Sequence, residues 1–236
     1  MKYRFLKITS PFLLSVFVLC AAPVSESALP NETLHYIVNW PTGVSLGEAQ
    51  LTASTSAEGT GSPHMHFQFD LNASVPGFAI DDKFSSGADE SFCSARFQKT
   101  IAQGSKRSDD TETFDPKSGT VTRGSGLGQS ETNTGTCGKD ALTFLYFLRR
   151  ELSQGRIPPP QTVSFGAPYE IQLDSAGNEN IKIGSATVET NHLKATVTGP
   201  SSSITFDLFF LQDRARTLAL VRVPLALGTF SMELAK

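Results

Sequence analysis

Between residues 64 and 72 the chain alternates without a break: Met65, Phe67, Phe69 and Leu71 are apolar, while His66, Gln68, Asp70 and Asn72 are polar. Successive side chains of a strand point to opposite faces, so this stretch predicts a β-strand with one buried face and one wet face. The same period runs through Leu34, Tyr36, Val38 and Trp40, and again through residues 46–53. Pro41-Thr42-Gly43 supplies a turn between those two runs, which together predict a hairpin.

Strand patterns follow over residues 80–86, 92–101, 106–115 and 120–123, punctuated by Gly87, Gly104 and the turn Asp115-Pro116-Lys117-Ser118-Gly119, in the order of a meander. Residues 124–138 are rich in Gly, Ser, Thr and Asn and show no apolar period, which predicts a long surface loop. Only residues 140–154 are convincingly helical. Leu142, Leu145, Leu148 and Leu152 form a stripe that Ala141, Phe144 and Phe147 widen. Asp140 suits the amino-terminal cap or first turn, Arg149 and Arg150 oppose the negative end of the helix dipole, and Gly155 and the prolines 158–160 stop the helix. A helix so apolar must lie against a sheet. Strand patterns return over residues 162–165, 168–173, 180–183, 192–198, 203–210, 217–223 and 229–234. Many short strands and one helix predict a mainly β fold: a curved antiparallel sheet forming a barrel or half-barrel, with one α-helix packed against it, or alternatively two packed sheets.

The amino terminus has a different character. Lys2, Arg4 and Lys7 precede an apolar stretch over residues 12–22 that is short for a bilayer span, the architecture of a secretory signal peptide. Residues 1–27 are expected to be that signal, cut somewhere between 22 and 28, and residues 28–236 a single β-rich domain with no later membrane-spanning segment. Cys20 follows Leu19 rather than a small residue, which argues against lipidation there. Removal of the signal leaves Cys93 and Cys137, an even pair in a chain bound for an oxidising compartment, so the two are expected to bond. A net charge of -3, with Lys and Arg scattered among acids, leaves no basic stripe to neutralise phosphates, so nucleic acid is not an expected partner.

No motif announces chemistry. His64 and His66 share one polar strand face, the start of a metal site, but spacing places no third ligand beside them. Gly124-Ser125-Gly126-Leu127-Gly128 neither follows a buried parallel strand nor opens a helix, so a phosphate loop lacks its scaffold. There is no Gly-x-Ser-x-Gly elbow. The pairs Asp81-Asp82, Asp89-Glu90 and Asp109-Asp110 read as solvated turns or edges. No catalytic, cofactor-binding or metal-ligating residue is therefore assigned.

Three landmarks carry a family resemblance: the opening strand Leu34-His35-Tyr36 with Gly47, the helix Asp140-Ala141-Leu142-Thr143-Phe144-Leu145-Tyr146-Phe147-Leu148-Arg149, and the close from Asp213 through Arg222-Val223-Pro224 to Gly228-Thr229-Phe230. In these the chain resembles exported bacterial proteins of domain of unknown function 3108. That resemblance implies a Gram-negative envelope setting, a β-rich fold and no assigned activity, and it brings no catalytic residues.

The expectation for function is a non-enzymatic protein of the periplasm or cell envelope, periplasmic or associated with the outer membrane, without a cofactor. One version binds an apolar small molecule or lipid in the barrel, with Leu145, Leu148 and Leu152 of the helix facing it. The alternative is a structural or protein-interaction module whose loop or strand edge recruits an envelope partner. An envelope hydrolase is the third reading, and it has no recognisable nucleophile behind it.

Overall fold

The computed structural model describes residues 31–56, 65–75, 77–126 and 128–235. The expected signal peptide and His64 lie outside them. Eight strands precede the helix region: β1 (Glu32–Asn39), β2 (Ser45–Thr55), β3 (Met65–Val75), β4 (Phe78–Ala88), β5 (Ser94–Gln103), β6 (Lys106–Asp115), β7 (Thr120–Ser125) and β8 (Gly128–Asn133). The two-residue strand β9 (Lys139–Asp140) leads into α1 (Ala141–Ser153). Six strands follow: β10 (Gln161–Ser164), β11 (Pro168–Ile183), β12 (Ala186–Thr198), β13 (Ser203–Leu211), β14 (Leu218–Leu225) and β15 (Gly228–Leu234).

All fifteen strands belong to one curved sheet in the order β8-β7-β6-β5-β4-β3-β2-β1-β15-β14-β13-β12-β11-β10-β9. Each half of the chain is a meander, and the halves meet where the first strand pairs with the last, in register Tyr36↔Leu234 to Asn39↔Ser231. Every pair is antiparallel except β9 with β10, which is parallel. The two edges, β8 and β9, do not pair with each other, so the sheet rolls up without closing.

The strand reading and the structure differ most along two stretches. The expected loop over residues 124–138 contains β8, paired with β7 from Thr120↔Asn133 to Ser125↔Gly128. The glycine run therefore belongs to a hairpin, with Gly124 and Ser125 in β7 and Gly128, at a φ of 116°, opening β8. Residues 168–183, read as two strands, form one long β11 whose register shifts between Ser175 and Gly177, a bulge that lets the strand bend without ending. Gly47 has a plainer role in the predicted hairpin: a Cβ there would lie 2.1 Å from the carbonyl oxygen of Asn72, so the approach of β2 to β3 admits only glycine.

The alternation that predicted the strands sorts their faces. Tyr36, Leu51, Phe67 and Phe97 point inward and are almost fully buried. They join Leu142 and Tyr146 of the helix in one cluster, where the rings of Phe67 and Tyr146 stack at 4.2 Å. A second cluster packs Phe144, Leu148 and Leu152 of the helix against Leu193, Leu208 and Phe210 of the carboxy-terminal half. The helix thus spans both halves of the sheet and is the wedge between their cores.

Candidate functional site

Three places in the described residues concentrate polar groups: the start of the helix, the inner face of β5 to β7, and a groove on the outer face of β2 to β5. The first two are buried.

Asp140 caps the helix as its position predicted, its Oδ1 accepting from the backbone N–H groups of Leu142 (2.9 Å) and Thr143 (3.0 Å). Its Oδ2 accepts from the hydroxyls of Ser86 (2.5 Å), Ser94 (2.6 Å) and Thr143 (2.8 Å), while its own N–H donates to Ser94 Oγ at 2.9 Å. This side chain is completely buried, and burial pushes its carboxyl above the usual carboxylate range against the pull of those donors. One acid therefore ties the helix to β4 and β5. The disulfide between Cys93 and Cys137, with Cα atoms 4.7 Å apart, fastens the same corner.

At the other end of the helix the Arg149 guanidinium, wholly shielded from solvent, forks Glu32 with both terminal nitrogens, Nη2 to Oε2 being 3.1 Å. Its Nε donates to the carbonyls of Ala215 and Arg216, both at 3.1 Å. Arg216 takes a left-handed φ of 48°, uncommon for a side-chain-bearing residue. Buried charge is tolerated here because it is paired with Glu32 and each guanidinium nitrogen has an acceptor.

On the inner face of β5 to β7, Asp110 meets Arg123 at 2.7 Å and Lys99 at 3.4 Å. Burial alone would raise its carboxyl, but the two cations outweigh that and hold it below the ordinary range. Glu112 beside it is 1% exposed. Its Oε1 accepts from Ser164 Oγ (2.9 Å) and the Gly166 N–H (2.8 Å), and its Oε2 meets no donor among the described residues. Burial raises this carboxyl. Asp110 and Asp82, which is 4% exposed, correct the reading of their pairs as solvated turns or edges: Asp82 accepts from Gln103 Nε2 at 2.6 Å, and such partners are what make burial of a carboxylate possible.

The third place is open. A groove of about 480 Å³ runs across the outer face of β2 to β5. Cross-strand register builds it from two rows, Ser54-His66-Gly87-Arg96 and Thr52-Gln68-Ser85-Gln98. Gly87 supplies a floor without a side chain between His66 and Arg96, whose strands lie about 10 Å apart at two sheet spacings. Gln68 Nε2 donates to Asp70 at 2.7 Å, which orients the amide and leaves its oxygen as an acceptor. The lining offers a cation, an imidazole, amides and hydroxyls, which suits polar recognition.

The residues singled out from sequence land as follows. Cys93 and Cys137 are joined. Leu148 and Leu152 are buried in the second core cluster and Leu145 packs against both main clusters, so all three touch the protein's own side chains. His66 is exposed in the groove. His192 lies away from it, bonded through Nε2 to Asp207 (2.8 Å) and close through Nδ1 to Glu179 (3.2 Å), and no three His, Cys, Asp or Glu side chains among the described residues converge as a metal site. Sequence reasoning missed the groove because its members are spread over four strands and become neighbours only through register.

No curated protein matches the chain. Among solved structures it is similar to the crystal structure of a beta-barrel-like protein of domain of unknown function DUF1849 from Brucella abortus, with a TM-score of 0.59 and 9% identity over 89% of this chain and 98% of that one. That likeness concerns the fold alone. The family model of the proteins of unknown function DUF3108 matches residues 33–235, from the first strand to the last, and the chain belongs to that family.

Proposed function

We propose that the protein is an exported, non-enzymatic module of the cell envelope that works through its outer surface, taking a polar partner in the groove across β2 to β5. One observation carries the reading: a concavity of about 480 Å³ lies on the outer face, between Ser54, His66, Arg96 and Gln98. Export has its support in the sequence pattern of residues 1–27 and in the Cys93–Cys137 bridge, since disulfides persist in oxidising compartments. The version in which the helix and sheet enclose an apolar ligand has weaker support, because Leu145, Leu148 and Leu152 are spent on core packing.

The experiment is photocrosslinking in intact envelopes. A photoreactive residue at Gln98 is expected to trap a discrete adduct that Arg96→Gln diminishes. A matching residue at the exposed Lys117, outside the groove, is expected to trap nothing. Equal labelling at both positions would overturn the groove reading. Co-purification of a stoichiometric lipid, detected by native mass spectrometry, would restore the enclosed-ligand version.

A further inference from the structure

In a meander alternate turns fall on the same rim. The turns β1–β2, β3–β4, β5–β6 and β14–β15 share one rim, opposite the turns β4–β5 and β6–β7. Among the described residues, the large apolar side chains that remain exposed gather there: Val44 at 64%, Phe78 at 44%, Leu225 at 50% and Leu227 at 71%, against Ile37 and Ile157 elsewhere. Trp40 and Phe230 meet edge to face at 4.9 Å. A Cβ added to Gly228 would lie 2.8 Å from Pro41, so the β1–β2 and β14–β15 turns form one ledge.

Charge also distinguishes the rims. The turns of the opposite rim mix both signs, Asp89, Glu90, Asp115 and Asp213 with Lys117, Arg214 and Arg216. Residues 40–46 and 224–230 carry no charge at all, and the charges at the β5–β6 turn are Lys106 and Arg107, both exposed. Asp81 and Asp109, the acids nearest along β4 and β6, are engaged, Asp81 with Lys83 at 3.7 Å and Asp109 with Thr100 at 2.8 Å.

We propose that this rim docks on the surface of an anionic phospholipid bilayer, with Val44, Leu225 and Leu227 entering the headgroup boundary, Trp40 at the interface, and Lys106 and Arg107 against the lipid phosphates. Apolar tips, an interfacial tryptophan and basic groups at a turn that itself holds no acid are the combination that binds such a surface. The shape selects lipid over protein. Convex tips strung along an arc fit a deformable surface, whereas a protein partner needs a continuous patch. Docking does not depend on the groove, which opens on a side wall.

Trp40 is the sole tryptophan of the chain, so its emission reports on this rim alone. The full chain is mixed with vesicles of phosphatidylglycerol and phosphatidylcholine whose acyl chains are brominated near the headgroup. Quenching of Trp40 is expected, weaker with phosphatidylcholine alone and reduced by salt. Leu225→Ser/Leu227→Ser is expected to lower vesicle partitioning about tenfold or more, from the apolar area no longer transferred. Lys106→Gln/Arg107→Gln should abolish the preference for anionic lipid, and Ile157→Ser should change nothing. Trp40 that stays unquenched while the protein co-sediments with vesicles would overturn the proposal, as would equal quenching in the double serine variant. Capture of a discrete protein by this rim with no vesicle binding would overturn it too.

Discussion

The rolled sheet is held together at two seams built on different principles. Where β1 meets β15, backbone ladder pairs run from Tyr36↔Leu234 to Asn39↔Ser231, extended by Ala235 N–H to the His35 carbonyl at 2.7 Å. Where the edge at β9 and β10 meets β4, β5 and β6, Ser94 N–H reaches the Gly138 carbonyl at 2.9 Å. Side chains do the rest: Asp140 to Ser86 and Ser94, Glu112 to Ser164, and the Cys93–Cys137 bridge. A backbone ladder carries no titratable or redox-active group, so the first seam is indifferent to acidity and thiols. The second answers to both.

The contrast is testable, and the largest effect is expected at Asp140. Asp140→Ala orphans two helix N–H groups and buried hydroxyls together, and a loss of about 3–5 kcal/mol is expected in denaturant unfolding. A loss below about 1 kcal/mol would mean that the edge seam does not hold the helix. Next comes the bridge. Its sequence separation of 44 corresponds to about 4 kcal/mol of loop-closure stabilisation on the chain-entropy model, and Cys93→Ser/Cys137→Ser is expected to lose up to that much. Hydrogen exchange should quicken at Ser94 well before it does in β1 and β15; uniform acceleration would erase the distinction between the seams.

At the ladder seam, the Tyr36 hydroxyl donates to the Leu218 carbonyl at 2.9 Å. Tyr36→Phe should cost about 1 kcal/mol, independent of pH from 5 to 8. Glu112→Gln is expected to have the smallest effect at neutrality, zero to about 1 kcal/mol of added stability, because the change removes a buried charge whose Oε2 finds no donor among the described residues. Its signature lies in pH dependence. Burial raises the Glu112 carboxyl, so its stabilising contribution is complete below the ordinary glutamate range and is lost as pH rises through the raised value. Chemical denaturation from the ordinary glutamate range upward should show a flatter profile for the variant than for the parent. An unchanged slope would remove Glu112 from the seam's acid response.

What could be read from the sequence follows the same division. Strands with one buried face announced themselves, as in β3, where Met65 and Phe67 are buried and His66 and Gln68 exposed. The helix emerged with its cap, because a carboxylate before an apolar stripe is local information. Strand β8 escaped because Gly128–Asn133 contains no apolar residue: an outermost strand held by its backbone has no period to display. The middle of β11 escaped for a related reason, since Ser175, Ala176 and Gly177 are exposed and bulged rather than packed. Burial of Asp110 and Glu112 required knowing that Lys99, Arg123 and Ser164 arrive from other strands. The groove shares that difficulty, because residues 54 and 96 become neighbours only after three registers are fixed.

The pairing of the first strand with the last has a temporal side. A chain made from its amino terminus exposes the free edge of β1 as soon as β2 folds against it, and the mate for that edge, β15, appears only after all the other strands of the sheet. Throughout that interval the nascent half-sheet presents an unsatisfied template for any passing strand, the circumstance in which mispairing between molecules begins. A holdase that shields residues 32–39 until β15 has been made would therefore raise the yield of native molecules more than one acting on any later segment.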